Sequence, residues 1–350
     1  MSWLQQAIKS PCETAILAAT THQQQLTKPP GSLGQLEALA IQLAGLQASE
    51  QPKIEQIAIS IFVADHGIAD KQVSAFPQAV TAAMIKNFAH GGAAISVLAQ
   101  QLNAKLRVSN LGTVSQLDAI AGVEDNRLAA GTANFAEAPA MTEEQLQQAL
   151  AIGKNHIDDA TDKTNADLFI GGEMGIANTT SATALACALL QKPAAELTGP
   201  GTGINRATQQ HKQQVIEAAL AMHQLNADQP LDCLRVVGGF EIAALTGAFI
   251  RGAQMGLPLL VDGFIASIAA LTALKFQPDI APWLILGHQS AEPGHRAVVA
   301  AMDKTPVLQL QMRLGEASGA ACAVPLLQLA CALHNNMATF DSANISTATI

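Results

Sequence analysis

The sequence predicts an α/β protein in which helices cover both faces of a parallel β-sheet. Three observations support this fold class. Short segments of uniformly apolar residues recur along the chain, most of them end at a glycine-containing turn, and alanine-rich stretches that favour helix separate most of them. Strands that are apolar on both sides and alternate with helices are typical of a parallel sheet buried between helical layers.

The first 50 residues are expected to be helical, with one interruption. Alanine, glutamine and leucine dominate this region. The segment 28–32 reads Lys-Pro-Pro-Gly-Ser and breaks the pattern, because Pro-Pro-Gly cannot continue a helix. Ser32 is predicted to cap a second helix with apolar residues at helical spacing from 33 to 43.

Six strands are predicted after this helical region. They are Ile57–Ala64, Lys105–Ser109, Asp167–Ile170, Leu234–Val237, Leu257–Val261 and Trp283–Leu286. The turns that follow them carry clusters of glycine, aspartate, glutamate and histidine. Because ligands bind beyond the carboxyl ends of the strands in an open parallel sheet, the sequence predicts a ligand site at that edge.

The chain is predicted to divide into two domains. The segment after Glu316 is again apolar and helical, and we expect it to pack with the N-terminal helices. Residues 1–50 and 313–350 would then form a small helical domain, and residues 51–312 would form the large α/β domain.

Composition excludes several classes of partner. Hydrophobic residues make up 49% of the 350 residues and charged residues 13%, which is enough apolar material for a sizeable core. With a net charge of −9, no basic run and 3% aromatic residues, neither nucleic acid nor a membrane surface is an expected partner. The five cysteines form no C-x-x-C pair and are interpreted as reduced thiols of a cytoplasmic protein.

Two glycine-rich turns are candidate phosphate-binding loops. Residues 171–180 follow a predicted strand and open a helix, so that backbone and Asn178 donors would meet a ligand at the positive helix end. An ordinary strand–turn–helix explains this segment equally well. Residues 199–203 precede a helix carrying Lys212, which could supply a point charge to a phosphate. A simple turn and a solvated lysine are the commoner alternatives.

Glu316 is a candidate general base. It lies in a segment, 313–320, that is otherwise apolar and rich in glycine and alanine. Burial raises the pKa of a carboxyl group and makes it a better base near neutral pH. The alternative roles are capping of the following helix and pairing with Arg313.

No metal ion or cofactor is expected. His66, His288 and His295 lie in separate loops without the spacing of a metal site, and we interpret them as residues that structure their loops. The sequence also lacks the acidic strand end that accompanies Mg²⁺ in transferases with a pyrophosphate leaving group. A donor with a pyridinium leaving group would need no such metal.

Eight motifs, in order, resemble the nicotinate-nucleotide–dimethylbenzimidazole phosphoribosyltransferase family. They are residues 28–34 (KPPGSLG), 64–67 (ADHG), 73–78 (VSAFPQ), 172–176 (GEMGI), 201–203 (GTG), 262–264 (DGF), 290–295 (SAEPGH) and 313–316 (RLGE). Each motif is weak alone, but the ordered set is specific and spans most of the chain. The resemblance implies a Rossmann-like large domain, a small helical domain built from both chain ends, and a homodimer.

The resemblance also implies a reaction and its residues. Phosphoribosyl would pass from nicotinate mononucleotide to 5,6-dimethylbenzimidazole, giving nicotinate and α-ribazole 5′-phosphate. Glu316 corresponds to the catalytic base, and Glu173 would stabilise the positive charge that develops on the ribose. The phosphoribosyl group would be bound by Gly175, Asn178, Gly203, Lys212 and Ser290. The base pocket would be lined by Ser74, Phe76, Gln78 and Leu314.

Two other functions remain open on the sequence. One is a non-catalytic binder or sensor of benzimidazoles or their ribosides, which would bind the base without chemistry. The other is a nucleosidase that hydrolyses the same nucleotide, which would release nicotinate without any acceptor base.

Overall fold

The computed structural model describes residues 2–201 and 203–346. Its strands are β1 (Ile57–Ala64), β2 (Lys105–Gly112), β3 (Val123–Asp125), β4 (Leu168–Met174), β5 (Leu259–Val261) and β6 (Leu284–Leu286). Within these residues they form a 6-stranded sheet in the order β3-β2-β1-β4-β5-β6, and every neighbouring pair is parallel. The predicted fold class is confirmed.

Helices precede the sheet, connect its strands and follow it. They are α1 (Glu13–Gln25), α2 (Gln35–Gln47), α3 (Ala79–Ala89), α4 (Ala94–Gln101), α5 (Glu143–Asp162), α6 (Asn178–Leu190), α7 (Ala194–Leu197), α8 (Arg206–His223), α9 (Pro230–Val237), α10 (Phe240–Met255), α11 (Phe264–Phe276), α12 (Pro293–Ala301) and α13 (Ser318–Asn336). Short 3-10 helices span Ser2–Gln5, Gly67–Lys71 and Pro278–Trp283. Over the described ranges, none of the helices combines the length and apolarity needed to cross a bilayer.

The core lies on both faces of the sheet. Strand β1 is buried along its whole length. Its side chains alternate, with Ile59 and Ile61 in one apolar cluster and Ala58 and Phe62 in the other. This alternation explains the uniformly apolar strands, because a strand covered on both sides has no face that favours polar residues.

The sequence located most strands but misassigned one segment. Residues 234–237 were predicted as a strand, and they form the last turn of α9 instead. Pro230 occupies the first helical position, where its missing N–H costs nothing, and Arg235 pairs with Asp232 one turn earlier. The edge strand β3 was not predicted, because its sequence, Val-Glu-Asp, has two acidic residues and none of the three is buried.

The predicted cap of the second helix is also wrong. Helix α2 begins at Gln35, and the residue before it is Gly34 rather than Ser32. Gly31 and Gly34 both have positive φ angles, of 76° and 56°. The chain therefore turns twice through conformations that favour glycine before the helix starts.

The two chain ends meet beside the sheet. Helix α13 packs on α2, and its apolar residues join the core cluster that covers one sheet face. An isolated antiparallel bridge links Leu26 to Thr339. Packing of the C-terminal segment with the N-terminal helices is thus observed, while the division of the chain into domains at 50 and 313 stays a prediction.

The strand order creates a crevice between β1 and β4. From β1 the chain proceeds outward to β2 and β3, whereas β4, β5 and β6 proceed in the opposite direction. At such a reversal the connections leave to opposite sides and open a ligand-sized gap at the carboxyl ends of the strands. The loop after β1 and the end of β4 are therefore the places to look for a site.

Substitution of Gly153 tests how closely the helices α5 and α10 pack behind the sheet. It lies where α5 crosses α10, and a Cβ atom added to it would collide with the carbonyl oxygen of Ala244. We expect Gly153→Ala to lower the free energy of unfolding by about 1–3 kcal/mol, because the helices must separate. Urea denaturation measures this. Asn155→Ala, an exposed change on the same helix, should cause no loss, and an unchanged midpoint for Gly153→Ala would contradict the close packing.

Candidate active site

A cavity of about 300 Å³ opens at the carboxyl ends of β4, β5 and β6. Its lining combines carboxyl groups, glycine backbone and a few apolar side chains. The predicted site residues among the lining are Glu173, Gly175, Asn178, Ser290, Phe76 and Leu314. The predicted residues Ser74, Gln78, Gly203, Lys212 and Glu316 are not among those that line it, and each is located below.

Glu173 is the penultimate residue of β4, is buried and lines the cavity. Asn178, the first residue of α6, donates a hydrogen bond from its side-chain amide to Glu173 Oε2. Burial, together with the charges of Glu241, Asp262 and Glu316, holds the pKa of Glu173 well above its usual range. The protonated form of Glu173 is therefore more favoured than that of a solvent-exposed glutamate.

The loop that carries Glu316 turns tightly and lies against Glu173. Gly315, Glu316 and Ala317 all have positive φ angles, of 87°, 60° and 62°. A Cβ atom on Gly315 would lie 2.6 Å from Glu173 Oε1, and one on Gly172 would lie 2.6 Å from the Ala317 nitrogen. The end of β4 and this loop are thus in direct contact.

The carboxyl group of Glu316 is 6% exposed and poised to titrate near neutrality. Burial, with a smaller contribution from the charge of Asp262, raises its pKa to about 7. Within the described part of the chain its Oε2 atom has no hydrogen-bond partner, and Arg313 instead donates to the carbonyl oxygen of Gly201 over 2.9 Å. Pairing with Arg313 is therefore not its role, and a free buried oxygen is available to accept a proton.

Lys212 supports the first turn of α6, next to the residue that binds Glu173. It projects from α8, is 1% exposed, and donates to Thr179 Oγ1 over 2.9 Å. Burial lowers its pKa to about 8, while the carboxylate of Glu292 opposes this shift. Because Thr179 lines the cavity, Lys212 brings a positive charge just behind the surface that a ligand would touch.

The glycine-rich loop before α8 is only partly described. Gly201 lines the cavity and Gly203, whose φ is 104°, has open space around the position of a Cβ atom. Thr202, which belongs to the predicted motif, lies outside the described residues. Ser290 is fixed by its backbone N–H, which donates to His295 Nδ1 over 2.8 Å.

The predicted base-pocket residues divide into two pairs. Phe76 and Leu314 line the cavity and are 49% and 58% exposed, so their apolar surfaces stand at its mouth. Ser74 Oγ accepts a hydrogen bond from the Phe76 nitrogen over 3.3 Å and shapes the turn. Gln78 donates to the carbonyl oxygen of His66 over 3.0 Å, behind the cavity rather than in it.

The three loop histidines bind protein groups. His66 lies 2.9 Å from Ser181 Oγ and 2.8 Å from Glu241 Oε1. His288 Nε2 lies 3.6 Å from Asp262 Oδ1, and this carboxylate also accepts the backbone N–H of Ala320 at the start of α13. Across residues 2–201 and 203–346 no cluster of histidine, cysteine and carboxylate side chains has the arrangement that a metal ion requires.

The sequence analysis did not identify Ser181 and Glu241 as the hydrogen-bond partners of His66 behind the cavity. The available signal was Gly-Gly-Phe-Glu at 238–241, which was interpreted as the end of a strand. It is in fact the start of α10, with Glu241 in its first turn. A glutamate at that place in a helix is typical of a carboxylate held at the positive helix end.

The fold and this cavity define an α/β enzyme with its site at the crevice of a Rossmann-like parallel sheet. Comparison with known proteins narrows the class. The sequence matches the phosphoribosyltransferase family named DBI_PRT over residues 8–345, and the chain belongs to that family.

Individual relatives agree over almost the whole length. A nicotinate-nucleotide–dimethylbenzimidazole phosphoribosyltransferase of Pseudomonas putida is 56% identical over 345 residues, covering 99% of this chain and 98% of the relative. One from Pseudomonas syringae is 55% identical, covering 98% and 97%. The crystal structure of the enzyme of that name from Thermus thermophilus matches with a TM-score of 0.91 at 38% identity, covering 96% of this chain and all of that one.

Proposed function

We propose that this enzyme transfers phosphoribosyl from nicotinate mononucleotide to 5,6-dimethylbenzimidazole, with Glu316 as the general base. The products are nicotinate and α-ribazole 5′-phosphate. The observation that carries the proposal is the contact between the end of β4 and the 315–317 loop, which brings the buried Glu316 beside the cavity that Glu173 lines. The shared family and relatives of that name support the choice of substrates.

The chemistry needs a group that stabilises a cation. The bond between C1′ and the pyridinium nitrogen breaks, its electron pair stays with nicotinate, and positive charge develops on the ribose. Glu173 in its ionised form would stabilise that charge. Since nicotinate leaves as a neutral pyridine ring, the leaving group needs no proton.

The attacking base must then lose a proton. One ring nitrogen of the benzimidazole bonds to C1′ from the opposite face, which inverts the configuration from β to α. The other nitrogen carries the proton that must leave to avoid a cationic product, and Glu316 would accept it. Phe76 and Leu314 at the mouth offer apolar surface to the ring, and alignment of the two reactants would contribute much of the rate.

The phosphate would bind at the glycine-rich turns that border the carboxyl groups. Gly175 and Asn178 at the start of α6 present the positive end of a helix, and Ser290 offers a hydroxyl group. Lys212 would contribute positive charge through Thr179, and Gly203 would allow close approach of the loop.

We also propose that the protein works as a cytoplasmic homodimer. Its cysteines, in the described residues, are free thiols, as expected in a reducing compartment. Phe76, Leu310, Leu314 and Val114 are large apolar residues at least 49% exposed, and such surface suits contact with a second copy. Sedimentation equilibrium would test this, and a monomer at micromolar concentration would reject the dimer.

An assay of nicotinate release tests the function directly. We expect release from nicotinate mononucleotide only when dimethylbenzimidazole is present, together with formation of α-ribazole 5′-phosphate in equal amount. Release without the base would indicate a nucleosidase. Binding of the base, seen by calorimetry, without turnover at millimolar substrate would indicate a non-catalytic binder.

The pH dependence of the reaction is set by Glu316. Its folded pKa is raised to about 7, and only the carboxylate can accept a proton. The rate is therefore expected to be full above pH 7 and to fall about tenfold per pH unit well below it. Initial rates between about pH 5 and pH 9 would check this. The residual rate of Glu316→Gln should lack this dependence, and a flat profile for the unmodified enzyme would contradict the assignment.

A further inference from the structure

Arg313 is the only lysine or arginine among the described residues that line the cavity. The carboxyl groups of the lining belong to Glu173, Asp262 and Glu292. The Arg313 side chain is exposed, and its Nη1 atom donates a hydrogen bond to the carbonyl oxygen of Gly201 over 2.9 Å. Because a carbonyl oxygen carries no net charge, this bond leaves the positive charge of the guanidinium group without a counterion.

The bond to Gly201 also fixes where the guanidinium group of Arg313 lies. A Cβ atom on Gly201 would lie 2.8 Å from Thr179 Oγ1, so the glycine-rich loop contacts the first turn of α6. The same Thr179 hydroxyl accepts from Lys212 over 2.9 Å. Arg313 and Lys212 are therefore linked to one part of the cavity wall, Arg313 through Gly201 and Lys212 through Thr179.

Uncharged donors are available in the same cavity. Thr179 is the second residue of α6, where the free backbone N–H groups form the positive end of the helix. Ser290 Oγ accepts the backbone N–H of Glu292 over 3.3 Å, which leaves the hydroxyl hydrogen of Ser290 to be donated to a ligand. Both residues line the cavity.

Glu292 is the carboxyl group that opposes these positive charges. A Cβ atom on Gly199 would collide with Glu292 Oε2, so this carboxyl group lies against the same glycine-rich loop. Burial raises the pKa of Glu292, and the charges of Lys212 and Arg313 oppose that shift. Two cations and one helix end thus act against a single carboxyl group, which leaves this part of the wall suited to an anion.

We propose that Arg313 is a substrate-binding residue that contacts the 5′-phosphate of the phosphoribosyl group. The inference rests on the proposed function and adds a residue to the predicted phosphate site. A guanidinium group can present two parallel N–H groups to phosphate oxygens, and Arg313 would do so beside the first turn of α6. Nicotinate mononucleotide carries a second anion, the nicotinate carboxylate, so the experiment must distinguish the two.

Binding of the two products separates these anions without turnover. α-Ribazole 5′-phosphate carries the phosphate and no carboxylate, nicotinate carries only the carboxylate, and α-ribazole carries neither. Calorimetry gives the dissociation constant of each compound for the unmodified protein and for Arg313→Gln. We expect the substitution to weaken α-ribazole 5′-phosphate about 10- to 100-fold, and to change the binding of α-ribazole and nicotinate by less than about twofold.

Two further variants serve as controls. Arg313→Lys keeps the positive charge but cannot present paired N–H groups, so its loss of α-ribazole 5′-phosphate binding should be smaller than that of Arg313→Gln. Arg296→Gln removes the same charge from an exposed position on α12 that does not line the cavity. At about 0.15 M salt, solvent screens such a charge, and binding of all three compounds should stay within about twofold.

Three outcomes would overturn the role of Arg313. Equal weakening of α-ribazole and its phosphate by Arg313→Gln would show that the residue supports the cavity as a whole. A loss confined to nicotinate would show that it binds the carboxylate instead. A loss in Arg296→Gln as large as that in Arg313→Gln would show a general effect of surface charge.

The role of Arg313 and the proposed function can fail separately. If the unmodified protein forms α-ribazole 5′-phosphate and Arg313→Gln binds this product equally well, only the role of Arg313 is rejected. If the unmodified protein neither forms nor binds this product, the proposed function fails and the role of Arg313 fails with it. Arg313→Gln should fold, because the side chain is exposed and makes one hydrogen bond in the described structure. If it does not fold, Arg313→Lys must still weaken α-ribazole 5′-phosphate more than α-ribazole, and equal effects on both would reject the proposal.

Discussion

Replacing Glu316 with glutamine is expected to lower kcat by about 10²–10⁴, while the dissociation constant for nicotinate mononucleotide changes little. Glutamine has the same shape but cannot accept the proton of the attacking base. The fold should tolerate the change, because burial already disfavours the charged form of Glu316 and its Oε2 atom has no partner to lose in the described structure.

Nicotinate release at saturating substrates measures this effect, and calorimetry measures nucleotide binding. Glu196→Gln is a suitable control, because that glutamate is exposed on α7 and pairs only with Lys192 among the interactions seen in the described residues. Its rate should match that of the unmodified enzyme. If Glu316→Gln retains a rate within about threefold of the control, the proton is accepted elsewhere and the assignment of the base is wrong.

Replacing Glu173 with glutamine is expected to lower kcat by about 10²–10³. The reason differs from that for Glu316, because Glu173 does not accept a proton in the proposed reaction. Its replacement removes the negative charge that would stabilise the positive charge on the ribose. The oxygen of glutamine can still accept the hydrogen bond from Asn178, so the shape of the cavity should be preserved. Most of the loss should therefore appear in kcat rather than in the binding of the benzimidazole.

The Glu173→Asp variant separates the effect of the negative charge from the effect of the side-chain shape. Aspartate keeps the negative charge but loses a methylene group and much of the contact with Asn178. We expect it to be more active than glutamine at this position. Equal activity of the glutamine variant and the unmodified enzyme would show that the ribose cation is stabilised by other groups, such as Asp262, which also lines the cavity.

Much of the fold could be predicted because burial on both sheet faces leaves a strong signal. The β1 segment was located at its observed bounds, since all eight of its residues are buried. The error at 234–237 has the opposite cause. The segment Leu-Arg-Val-Val before Gly-Gly, with three apolar residues in four, fits a buried strand and a buried helical turn equally well. Only the upstream Pro230 and the Asp232–Arg235 pair distinguish them.

Individual residues of the site could be predicted from the sequence, but the hydrogen bonds that join them could not. Glu173 and Glu316 were identified from motifs, and the structure brings their segments together. The hydrogen bond between His66 and Glu241 spans 175 positions of the chain, and no local pattern encodes such a pairing. The same holds for Lys212, whose partner Thr179 could be identified only once α8 was packed against α6.

The position of Glu316 at the entrance to the last helix links catalysis to the completion of folding. Helix α13 is anchored by Asp262, which accepts the N–H of Ala320, and by the close approach of Gly319 to His288. Several apolar residues of α13 also belong to the core cluster on one face of the sheet. Docking of this helix therefore completes that face of the core and places Glu316 beside the cavity in the same step.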